Sequence, residues 1–198
     1  MDISALLEEI AACRLCEAHL PLGPRPVLRA SDPAAKVLIV GQAPGTKVHA
    51  SGIPWDDASG KRLRQWLGVT AEEFYDQSKF AIVPMGFCYP GRTVDAKGHG
   101  GDNPPRPECA PLWHRRVRDH LPNIRLTLLI GSFAQAWYLG ARGKKTLGET
   151  VRAWEDYVGD GFVPLVHPSP RNQMWLRRNP WFEAEIVPFL RQRVAEAL

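Results

Sequence analysis

Four short apolar runs punctuate the chain, within 36–41, 80–84, 126–131 and 162–166. Each is too short for a helix and lacks polar alternation, so each predicts a strand buried on both faces. Helical spacing of apolar residues fills the intervals, over about 59–67, 107–121 and 132–139. A last helix is predicted over 181–197, with Ile186, Phe189, Leu190 and Val194 on one face. A first helix over 3–13 places Ile3, Leu6, Leu7 and Ile10 together. Strands alternating with helices define the α/β class, here a three-layer α/β/α sandwich around a four-stranded parallel sheet. Right-handed crossovers bring all strand C-terminal ends to one rim, where open α/β sheets bind ligands. The proline-rich stretch 20–27 is expected to wrap over a surface and stay out of the sheet interior, because proline removes a donor. The segment 91–105, containing Ala96-Lys-Gly-His-Gly-Gly-Asp-Asn103, is long for a connection and reads as functional or mobile.

Composition narrows the class. The chain has 198 residues, which predicts a single domain over 1–198. The net charge of +4 excludes an acidic, self-repelling disordered chain and permits a nucleic-acid partner. No apolar run approaches membrane-spanning length, and MDISALLEEI lacks the basic start of a signal peptide. The expected compartment is therefore the cytoplasm, where four cysteines argue against a disulfide framework.

Chemistry gathers at the predicted rim. The first strand ends in Gly41-Gln-Ala-Pro-Gly45, a tight turn whose backbone N–H groups suit a developing negative charge. The fourth ends in His167-Pro-Ser-Pro170, which offers a side-chain donor to the same place. Alone, the turn is structural and the histidine an ordinary satisfied side chain; at two parallel strand ends, they point to a site. Trp55 follows a proline in a loop, and an aromatic face in a pocket stacks a flat heterocycle. Asp56 and Asp57 stand just before a helix; either caps it, or supplies a carboxylate that orients water or stabilises a cation. Cys13-Arg-Leu-Cys16, Cys88 and Cys109 form a four-thiolate set with one close pair, which fits tetrahedral zinc or a [4Fe–4S] cluster. The plainer alternative is four unrelated buried cysteines.

These residues in this order resemble the uracil-DNA glycosylase superfamily, in particular its iron–sulfur branch (families 4 and 5). The likeness runs from Cys13 to the final helix. It rests on Gly41-Gln-Ala-Pro-Gly45, Gly52-Ile-Pro-Trp55, Asp57-Ala-Ser-Gly60, Cys88, Cys109, Leu128-Leu-Ile-Gly-Ser132 and His167-Pro-Ser169. The resemblance implies a monofunctional DNA glycosylase, acting as a monomer, that flips uracil out of DNA and hydrolyses its N-glycosidic bond. Asp57, His167 and Gln42 are its implied catalytic residues. Asp57 stabilises the sugar cation and orients water, and His167 with the backbone near Gln42 and Ala43 stabilises the base oxygen. Trp55 stacks the base. The resemblance also favours a structural [4Fe–4S] cluster on Cys13, Cys16, Cys88 and Cys109 over zinc. The loop after His167 is implied to enter the minor groove, with Met174, Trp175 or Leu176 as the wedge and Arg171, Arg177 and Arg178 on phosphates. An amphipathic helix with Trp175 and Leu176 turned inward is the competing reading. Lys61 and Arg62, with Arg64, form a second basic cluster, which a solvated helix face explains equally well.

The chain departs from the family at two positions. Gln42 stands where one branch has Glu; it holds a water but is no base. Pro84 stands where an Asn reads the uracil edge, leaving backbone groups of 84–86, including Gly86, or Asn172 to substitute. These departures keep two alternatives open: a non-catalytic iron–sulfur nucleic-acid-binding protein on the same fold, and a glycosylase for hypoxanthine or xanthine. His49 is expected at the surface, as are His114 and His120, while Trp66, Trp113, Trp137 and Tyr138 are expected in the core.

Overall fold

A computed structural model of the protein describes residues 2–94, 96 and 100–198. In chain order its elements are α1 (Ile3–Ala11), β1 (Val37–Val40), α2 (Thr46–Ser51), α3 (Ala58–Leu67), α4 (Ala71–Tyr75) and β2 (Phe80–Ile82). There follow β3 (Arg92–Val94), β4 (Gly100–Asp102), α5 (Cys109–Asp119), β5 (Leu126–Ile130), α6 (Ser132–Leu139), α7 (Leu147–Arg152) and α8 (Glu155–Val158). The chain closes with β6 (Phe162–Leu165), α9 (Gln173–Arg178) and α10 (Val187–Ala197). The four apolar runs pair as one parallel sheet in the order β2-β1-β5-β6.

Period-2 alternation sends successive side chains of the sheet to opposite layers. Val37, Ile39, Leu126 and Leu128 pack with Leu63 and Trp66 of α3 and Leu190 and Val194 of α10. Leu38, Val40, Ala81 and Leu129 pack with Leu6 and Ile10 of α1 and Trp113 and Val117 of α5. Each buried Val, Leu or Ile contributes about 1.5–3 kcal/mol, and this two-sided demand is why the runs carry no polar alternation. The chain leaves β1 for β2 on one side and returns to β5 on the other. The switch point therefore lies at the C-terminal end of β1, where Gly41 begins.

At the end of the proline-rich stretch Val27 donates to the Phe87 carbonyl, and just beyond it Arg29 bridges antiparallel to Ile82, which covers the outer edge at β2. Part of the segment read as functional or mobile is an antiparallel hairpin of β3 and β4. Asp95, Lys97, Gly98 and His99 of that segment lie outside the described residues. The predicted last helix is broken: Phe182–Ile186 forms a π-helical turn before α10. Pro188, in the first turn of α10, has no N–H to continue an ordinary ladder.

Two surface assignments are corrected. His114 is 2% exposed, because Nε2–H donates to the Pro84 carbonyl at 2.8 Å and the Tyr138 hydroxyl meets Nδ1 at 3.2 Å. Trp137, expected in the core, is 46% exposed, because α6 turns Ala134, Gln135 and Leu139 inward instead. Among the described residues no helix is long and apolar enough to cross a membrane.

Candidate active site

A pocket of about 250 Å³ opens at the switch point. Gly41, Gln42, Ala43 and Gly45 from the turn after β1 line it, with Trp55, Asp57 and Ser59, Pro84, Asp102, and His167, Ser169 and Arg171. Residues far apart in sequence meet here because the parallel strands end together.

Trp55 is the one described non-glycine residue with positive φ, at 60°. A Cβ on Gly60 would lie 1.8 Å from the Trp55 carbonyl oxygen, and a Cβ on Gly41 would lie 2.9 Å from its Cζ2. Both glycines are therefore conditions for the indole's position. Its ring centroid lies 5.4 Å from that of His167.

His167 is fixed from behind. The Ser169 N–H donates to Nδ1 at 3.2 Å, and the Asn172 amide donates to the His167 carbonyl at 2.7 Å. A ring nitrogen that accepts an N–H carries no proton, so the neutral ring holds its proton on Nε2. Burial pushes the imidazole below its ordinary value, against the opposing charges of Asp57 and Asp102. The ring is thus a neutral donor at neutral pH.

Asp57 is the N-cap of α3: Oδ1 accepts the Gly60 N–H at 2.8 Å. The same side chain lines the pocket. The Gln42 side-chain amide donates to the Asn103 carbonyl at 3.3 Å, which leaves Oε1 as an acceptor. Asp56 is exposed, and His49, on α2, lies outside the pocket lining.

The corner beside Pro84 is already occupied. The Pro84 carbonyl accepts from His114, the Met85 N–H donates to the Gly41 carbonyl, and the Gly86 N–H donates to the Gln42 carbonyl at 2.9 Å. Gly86 lines a different cavity, and Asn172 spends its amide on His167. Sequence reasoning missed Asp102. It sits at the end of Gly100-Gly101-Asp102, where no hydrophobic period marks a strand.

Of the basic residues, Arg171 lines the pocket. Arg62 bonds Gln173 at 2.8 Å and reaches the Ser169 carbonyl, which ties α3 to the segment after His167. Met174 is 58% exposed, and Arg171, Arg177, Arg178 and Lys61 are exposed. Leu176 is buried, and the half-buried Trp175 packs edge-on against Trp181 and Phe182, so the inward reading holds for both.

Cys13, Cys16, Cys88 and Cys109 line one cavity of about 30 Å³ with Ile10, Leu20, Phe87 and Trp113. All four are free thiols. Burial raises Cys16 and Cys88, and drives Cys109 up to about 12, with the neighbouring thiols adding to the latter two. The Phe87 N–H points at the Cys109 sulfur at 3.4 Å. Among the described residues, no group of three or more His, Cys, Asp or Glu is arranged to hold a metal ion.

The pocket at the switch point of the parallel sheet thus brings together Trp55, Asp57 and His167. The model of the uracil DNA glycosylase superfamily matches residues 28–191, and the chain belongs to that superfamily. This places it among DNA glycosylases, with DNA as its partner. The match includes Cys88 and Cys109 and begins after Cys13 and Cys16.

Proposed function

We propose that the protein removes uracil from DNA by hydrolysis, leaving an abasic site. The observation that carries this reading is the meeting of Trp55, Asp57 and the Nε2–H of His167 in one pocket. A base must leave the stack to reach such a pocket. There the Trp55 face stacks it, and Nε2–H of His167 donates to the oxygen that gains charge as the bond to the sugar breaks. A neutral donor suits this step, because it need not give up its proton to a weakly basic oxygen. Asp57 stabilises the positive sugar, and Gln42 Oε1 holds a water. Arg171, Arg177, Arg178, Lys61 and Arg62 hold phosphates, and Met174 fills the gap in the stack.

The occupied corner at Pro84 favours a second reading of the same chemistry. With that carbonyl and the next two amides committed, little at this wall is left to read a pyrimidine edge, so hypoxanthine or xanthine also enters. A panel of oligonucleotides carrying uracil, hypoxanthine or xanthine, in single and double strands, tests both. Excision of uracil that is lost in Asp57→Asn and His167→Ala supports the first. Selective excision of the purines supports the second, and no excision by the wild type removes both.

We also propose that Cys13, Cys16, Cys88 and Cys109, which line one cavity, hold a [4Fe–4S] cluster. When bound, the cluster supplies a structural clamp between the N-terminal segment and the region 88–109. Anaerobically purified protein is expected to carry four irons and four acid-labile sulfides per chain, and a Cys88→Ser variant is expected to lose them. One zinc per chain would contradict the assignment.

A further inference from the structure

The pocket is lined by a second carboxylate, Asp102. Asp102 ends β4, and its backbone is fixed by pairing with Arg92. The next residue anchors it further. The Asn103 N–H donates to the Gly91 carbonyl, its side-chain amide to the Pro90 carbonyl, and its own carbonyl accepts from Gln42. The hairpin needs Gly100 to close, since a Cβ there would lie 2.0 Å from the Thr93 carbonyl oxygen. Asp102 Oδ2 stands 3.3 Å from where a Cβ on Gly45 would be, so the carboxylate rests against the turn after β1. It lines the same cavity as Asp57 and His167.

The two carboxylates differ in what already occupies them. Asp57 gives Oδ1 to the Gly60 N–H as a helix cap. Among the described residues no hydrogen bond or ion pair engages the Asp102 carboxylate. Gln42, at the wall of the same turn, has no basicity to offer. A group that accepts a proton in hydrolysis must have free lone pairs facing the reacting water.

We propose that Asp102 is a catalytic residue that accepts the proton of the attacking water, while Asp57 remains the fixed anion beside the sugar. This rests on the glycosylase reading above. The C1′–N bond breaks with its electron pair leaving on the base. The water oxygen bonds to C1′, and its proton passes to Asp102 and from there to solvent. The base anion, held by His167 Nε2–H, takes a proton from solvent.

The test uses the full chain and two measurements. In single-turnover excision from a uracil duplex, Asp102→Asn is expected to slow the reaction about 10²- to 10⁴-fold. Affinity for a duplex carrying a neutral tetrahydrofuran abasic analogue, and the melting temperature, are expected to stay at the wild-type values. Asp102→Glu should recover part of the rate. Excision by Asp102→Asn at the wild-type rate overturns the proposal and leaves the glycosylase reading standing. An equal loss of rate and of tetrahydrofuran-duplex affinity also overturns it, by making Asp102 a DNA contact.

The second measurement compares that duplex with one carrying a pyrrolidine abasic analogue, whose ring is cationic. Wild type is expected to prefer the pyrrolidine duplex, and Asp102→Asn to lose several-fold of that preference. If no base is excised, the glycosylase reading falls and the proposal falls with it.

Discussion

Trp55 sits in a backbone conformation that only its neighbours make tenable. Its φ of 60° is uncommon for a bulky residue, and strain of this kind persists where surroundings over-determine it. Here the surroundings are Gly60 beneath its carbonyl and Gly41 beneath its ring. Gly41→Ala should displace the indole and cost about 1–3 kcal/mol, read as a lower urea midpoint. Trp55→Ala should weaken binding of a flipped base by about 1–3 kcal/mol, roughly five- to 150-fold in KM, while Trp55→Phe keeps most of it. A Trp55→Ala enzyme with unchanged KM would show that the ring is only packing. The residue types at the site were legible in sequence, because turns of Gly and Pro, a lone Trp after Pro and a His between strand and Pro stand out locally. Asp102 was not legible, since its importance lies in a hairpin whose glycine pair carries no pattern.

The same limit separates legible from illegible elements. Strands buried on both faces announce themselves as unbroken apolar runs, and all four run predictions fall on the observed sheet. The short helices α2 and α7, the hairpin and the π-helical turn depend on caps and tertiary contacts that periodicity does not carry. Helix α3 joins local structure to chemistry, because its N-cap is Asp57. Asn caps as well as Asp, whereas Ala does not. Asp57→Asn should therefore keep wild-type stability and lose activity. Asp57→Ala should lose activity and also about 1 kcal/mol in urea unfolding. Equal destabilisation by the two would mean that the cap is not what holds the helix start.

At the scale of the whole molecule, buried histidine couples the fold to pH. His114 lies between the Pro84 carbonyl and Tyr138, and burial holds it below its ordinary value. The unfolded chain protonates this group near its ordinary value of about 6.5. Its contribution is therefore full above that pH and is lost progressively as pH falls toward the lowered folded value. His49 and His167 are shifted the same way and add to the slope. Urea midpoints should fall between pH 7.5 and pH 5.5. In His114→Gln the fall should be smaller, from a lower starting point. An identical fall in that variant would contradict the assignment. The same histidine holds the carbonyl of Pro84, a residue that lines the pocket.

On the proposed function, His167 and its partners at the strand ends cleave an N-glycosidic bond. The decisive measurement is single-turnover excision from a uracil-containing duplex, read as alkali-cleavable abasic product. Wild type should form product, and His167→Ala should be slower by about 10²- to 10³-fold. A wild type that forms none, or a His167→Ala variant that forms it at the wild-type rate, would overturn that function for His167.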